Sequence, residues 1–144
     1  MAMTKVAKFD VANNHVQTAI DLFLEKKDYL CALSLAGAAE EILGQYAKRE
    51  NKTPMLDLIC SVVNEELSSS IDHKTLKKEF LNKAKNTIKH FDNNESEYIE
   101  IDPESEAIMM LLRAIGNLHY QNRTVTTNTP AFFEWVSTNR SDLF

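Results

Sequence analysis

Residues 29–48 read YLCALSLAGAAEEILGQYAK, the most apolar stretch of the chain. Tyr29, Leu33, Ala36, Leu43 and Ala47 recur at helical spacing, so the stretch predicts a buried helix opened by Asp28 and running to about Glu50. Glu40 falls inside that stripe, four residues after Ala36 and three before Leu43. Glu41 turns about 100° away, to the polar face with Gln45 and Lys48. A carboxylate among apolar side chains must be paired or protonated, because burying its charge alone is expensive. The small residues Ala36, Gly37, Ala38 and Ala39 let a second helix come close, so Glu40 is expected to meet a cation there. An internal salt bridge and a catalytic carboxylate both fit that placement.

Working outward, five more helices follow. One covers about Val6 to Lys26, with Phe9, Ala12, Val16, Ala19, Leu22 and Phe23 on its inner face. Each of the three prolines follows a capping residue, in Thr53-Pro54, Asp102-Pro103 and Thr129-Pro130, which places helix starts at those points. A further helix runs from about Asp72 to Phe91, with Leu76, Phe80, Ala84, Ile88 and Phe91 on its inner stripe. The helix after Pro103 turns Ala107, Ile108, Leu111, Leu112, Ile115 and Leu118 to the core. His119 falls on its apolar side, and Arg113 and Asn117 share its polar flank as a surface pair. Glu97–Ile101 alternates as a strand would, but is too short to anchor a sheet. The expectation is an all-α, single-domain antiparallel bundle of five or six helices over residues 1–144. The aromatic segment Phe132-Phe133-Glu134-Trp135 would close it.

Composition narrows the class. A 44% hydrophobic content excludes disorder, and three Gly with three Pro exclude collagen-like sequence. No apolar run approaches the roughly 18 residues of a membrane span, and the first residues lack a secretory apolar core. The expected compartment is the cytoplasm. Cys31 and Cys60 are too few for a disulfide framework and read as small buried hydrophobes. A net charge of −5 argues against a broadly basic nucleic-acid binder while leaving room for a local patch. No zinc spacing, phosphate loop, dinucleotide fingerprint or Glu-x-x-His pair occurs, so neither metal nor cofactor is expected.

The marked charge asymmetry lies between His73 and His90, where six lysines face one acid, Glu79. Lys74, Lys78, Lys85 and Lys89 gather on one flank, either an anion-binding strip or a solvated face. The segment ends Lys85-Asn86-Thr87-Ile88-Lys89-His90. Asn86 and His90, four apart, share a face. An amide, an imidazole and a cation at one helix end meet the needs of phosphodiester cleavage by a 2′-hydroxyl: a hydrogen bond, a proton shuttle and charge stabilisation. A histidine that merely caps the helix has the same spacing.

This stretch, late in a helix of a small all-α bundle, resembles the signature of the HEPN superfamily (higher eukaryotes and prokaryotes nucleotide-binding). The family pattern is an arginine, a polar residue, a few variable positions and a histidine; Asn86 and His90 match, and Lys85 stands at the arginine. Ala39-Glu40-Glu41 and Arg113-Ala114-Ile115 are similar to small prokaryotic members, so the likeness spans nearly the whole chain. It implies a homodimer whose two motifs form one cleft. Many members are metal-independent endoribonucleases in toxin–antitoxin or defence systems, and others bind RNA or nucleotides without cutting. On that pattern His90 is the catalytic histidine, Asn86 a positioning amide and Lys85 a phosphate contact. Lys89, Glu40 and Arg113 complete the substrate-binding set, with Glu40 orienting Lys85 or His90. An antitoxin-like protein partner is implied as well. Lysine at position 85 offers a point charge in place of arginine's planar fork. Three readings follow: a ribonuclease, a non-catalytic RNA- or nucleotide-binding module, and a helical scaffold that dimerises.

Overall fold

The computed structural model describes residues 1–122 and 126–143. It is all-α, with seven α-helices among the described residues and no strand. Helix α1 (Lys8–Asp21) runs on through a π-helical turn, Leu22–Lys26, and stops at Lys27 in the left-handed region (φ 52°). Asp28 then caps α2 (Tyr29–Arg49), its carboxylate accepting from the Cys31 N–H at 3.1 Å. Helix α3 is Met55–Glu66; Pro54 is its cap residue, so the helix starts one position later than the Thr53-Pro54 signal predicts. Asp102 caps α6 (Pro103–His119) by accepting from the Ser105 N–H at 3.2 Å, as the Asp-Pro signal predicts. Helix α7 (Thr129–Asn139) follows Asn128.

The expected helix from Asp72 to Phe91 is broken. Asp72 caps a single turn, α4 (His73–Leu76), a π-helical turn covers Lys77–Leu81, and α5 (Lys83–Lys89) restarts beyond Asn82. The wider π turn shifts the side chains within it, and the restart beyond Asn82 sets a new phase for α5. Phe80, inside the π turn, is 65% exposed, and Phe91 is 75% exposed because α5 ends before it. The inner stripe of the sequence predicts both inside. Leu76 and Ala84 keep their buried places, and Ile88 packs against the core.

Helix α2 is the centre of the bundle, packed on α1 and α6. Its small residues Ala32, Ala36 and Ala39 lie against the core with Leu33 and Leu43, facing Ile108, Leu111, Ala114 and Leu118 of α6. Phe23 is held inward by the π turn of α1 and meets Tyr29, Phe132 and Trp135 at 4.9, 5.5 and 4.9 Å between ring centroids. Burying such a side chain contributes about 1.5–3 kcal/mol, so α7 closes the bundle through its aromatic segment as expected. Cys60 is buried, whereas Cys31 is exposed: the first turn of α2 turns it to solvent. His119 is exposed too, one position off the buried Leu118. No helix among the described residues is long and apolar enough to cross a membrane.

Candidate functional site

The Glu40 carboxylate is buried, as its place in the stripe predicts, and meets two cations. The Arg113 guanidinium of α6 donates through Nη2 to Glu40 Oε1 at 2.9 Å, and Lys85 Nζ of α5 lies 3.7 Å from Glu40 Oε2. The side chains of all three are 4–5% exposed. Lys85 is held more tightly by Glu41, 2.7 Å away, and Lys89 approaches the same oxygen at 3.7 Å. The hydrogen bond from Lys85 holds the Glu41 carboxyl below the usual carboxylate range, with the Lys85 and Lys89 charges adding to the effect and partial burial opposing it.

Two expectations are corrected here. Lys85 does not stand with Lys74, Lys78 and Lys89 on the solvated flank; it is buried while those three are exposed. The break at Asn82 resets α5 so that Lys85 faces α2, and Gly37 leaves room for its stem. A β-carbon on Gly37 would sit 2.7 Å from Lys85 Cδ and 2.8 Å from Cγ. Arg113 and Asn117 are likewise buried, not a surface pair. Arg113 also donates to the Leu81 carbonyl (Nη1, 3.0 Å) and to Asn82 Oδ1 (Nη2, 2.8 Å), tying off the end of the π turn. Asn117 accepts from the Met55 N–H at 2.8 Å and donates to the Glu40 carbonyl at 3.3 Å. Met110, Arg113 and Asn117 are spaced three and four apart beside the main stripe of α6. That second row is the signal in the sequence that their burial follows.

The remaining motif residues lie elsewhere. His90 ends α5 with extended backbone (φ −122°, ψ 138°) and is exposed; Asn86 is half-buried. Both line a groove of about 550 Å³ with Thr87, Asp92, Glu95, Ser96, Tyr98 and Ile99. Lys85 does not line it. It faces a separate cleft of about 530 Å³ beside α2. The seven-residue α5 thus shows Lys85 to one side and Asn86, Thr87 and His90 to another.

The groove can hold a planar polar group. Asn86 offers an amide, Asp92 and Glu95 accept hydrogen bonds, and Tyr98, 79% exposed, presents a ring for stacking. Lys89 is half-exposed on the same helix, within reach of solvent anions. The ion-paired cluster has a different character: four charges of alternating sign (Arg113, Glu40, Lys85, Glu41) tie α6, α2 and α5 together. Compared with family models, with curated proteins and with solved structures, the chain gives no match.

Proposed function

We propose that the chain is a HEPN-like helical protein that binds RNA or a nucleotide at the Asn86–His90 groove and does not cut it. The observation that carries this reading is the division of the motif. Lys85 holds the position of the arginine, yet its charge is engaged by Glu41 and Glu40, away from the groove of Asn86 and His90. No lysine or arginine lines the groove, and the neighbouring Lys89 lies 3.7 Å from Glu41, so the groove holds no fixed cation for the charge stabilisation that phosphodiester cleavage requires. Binding needs less: a ring to stack on, hydrogen-bonding edges and a nearby cation, supplied by Tyr98, Asn86 and Lys89.

The test is a mixed RNA pool incubated in EDTA with the wild type and with His90→Ala, followed by titration of single-stranded RNA. The expected outcome is no cleavage by either protein. Binding should weaken as salt rises and fall about tenfold in Tyr98→Ala, the size of one lost stacking contact. Cleavage by the wild type and not by His90→Ala would replace this reading with the ribonuclease. The second reading, a scaffold that dimerises, draws on Leu58 and Val62. These lie four apart on α3 and are 39% and 55% exposed. A dimer in sedimentation equilibrium that Val62→Glu dissociates, together with no RNA binding, would favour it.

A further inference from the structure

The cleft beside α2 is a built space that the groove does not use. Its volume, about 530 Å³, is in the range of small-molecule sites. Five cations line it (Lys8, Lys48, Arg49, Lys77 and Lys85) against three carboxylates. All three carboxylates are already paired. Glu40 meets Arg113 and Lys85, Glu41 meets Lys85 and Lys89, and Asp57 meets Lys77 with His73 nearby. The exposed side chains of Lys8, Lys48 and Arg49 make no ion pair or hydrogen bond among the described residues. In a chain of net charge −5, three unpartnered cations from two helices therefore face one cleft. The wall between them is partly apolar, made by Ile42, Pro54 and Leu56.

We propose that this cleft is a second ligand site, for a phosphomonoester carrying an apolar body. The phosphate would lie on Lys48 and Arg49, with Lys8 across the mouth; the planar fork of Arg49 suits two phosphate oxygens. The apolar body would lie on Ile42, Pro54 and Leu56. A neutral ligand would leave the three cations unanswered, and a bare phosphate would leave the wall uncovered. The site stands independently of RNA binding in the groove, because no residue lines both.

Phenyl phosphate and inorganic phosphate are the probes, titrated by amide chemical-shift perturbation into the intact chain. Phenyl phosphate is expected to bind with a Kd of about 1 mM and to bind about tenfold more tightly than inorganic phosphate. The exposed double variant Lys48→Ala/Arg49→Ala should lose about tenfold or more in affinity. Gln45→Trp, which fills the cleft without changing charge, should lose binding as well. Lys74→Ala/Lys78→Ala removes the same charge away from the cleft and should leave affinity unchanged, as should His90→Ala. Circular dichroism confirms that each variant is folded. Equal losses in the two double variants would show attraction to charge alone and overturn the proposal. So would equal affinity for the two probes, or no saturation by about 20 mM. Lys48 and Arg49 would then serve only the C-terminal dipole of α2.

Discussion

Gly37→Ala should destabilise the protein, although it replaces a mid-helix glycine with the best helix former. On propensity alone the change stabilises by about 1 kcal/mol. Against that, the new methyl would lie 2.7 and 2.8 Å from Lys85 Cδ and Cγ, well inside van der Waals contact. Those atoms are the middle of a buried stem whose far end is fixed on Glu41 at 2.7 Å, so Lys85 cannot move aside and keep that bond. Overpacking of this kind costs about 1–3 kcal/mol, and the weakened ion pair adds to it. The net expectation is a loss of about 1–2 kcal/mol, lowering the urea midpoint by about 0.5–1 M. Lys85→Ala reverses the sign. Its β-carbon is 4.0 Å from the new methyl, an ordinary contact, so Gly37→Ala added to Lys85→Ala should stabilise by about 1 kcal/mol. Urea melts of the four proteins, followed by circular dichroism, give a coupling of about 2 kcal/mol or more. Stabilisation by Gly37→Ala in the wild-type background would refute the placement of Lys85 and everything argued from it.

Arg113→Met should cost about 3–5 kcal/mol, because it strips Glu40 of its closest cation and leaves the Leu81 carbonyl unpaired; adding Glu40→Gln should recover part of the loss in the same melts. Glu41→Gln should lower the midpoint at neutral pH. The folded Glu41 is held below its unfolded value, so its contribution is present above about pH 4.3 and fades as pH falls through the depressed value. Glu106 has the opposite sign: desolvation raises its pKa, with the Asp102 charge adding and Arg113 opposing. Its ionised form therefore opposes folding at neutral pH, and Glu106→Gln should raise the midpoint there, with the gain gone by about pH 4.

Periodicity and capping predict the helices where the two agree. The stripe of α2, including buried Glu40, and the Asp102 start of α6 are both local patterns that packing reinforces. They mislead where one turn widens. The π turn Lys77–Leu81 has no breaker of its own in the sequence, yet it exposes Phe80 and the restart after Asn82 brings Lys85 inward. A helical wheel drawn through that point assigns both residues to the wrong side. Arg113 departs from its predicted surface place for a different reason. A charged residue on a flank reads as solvated unless its partners are known, and these come from α2 and from the end of the π turn. At the candidate site, the local pairing of Asn86 with His90 was legible, and the exclusion of Lys85 from their groove was not.

The brevity of α5 bears on how any ligand of the groove is read. Seven residues are fewer than the roughly 12–15 a helix needs to persist alone, so α5 owes its order to the bundle, with Lys85 and Ala84 as its buried attachments. Asn86, Thr87 and His90 ride on the same seven-odd residues. The groove is therefore a property of a locally cooperative segment, which can melt while α2 and α6 remain intact. Acid that protonates Glu41 would loosen that segment before it unfolds the core. A variant of Glu40 or Glu41 that abolishes ligand binding would then be acting through local melting, with no contact to the ligand at all. Amide exchange ranks the segments directly: the amides of α5 should exchange before those of α2 and α6, and ligand in the groove should slow them first.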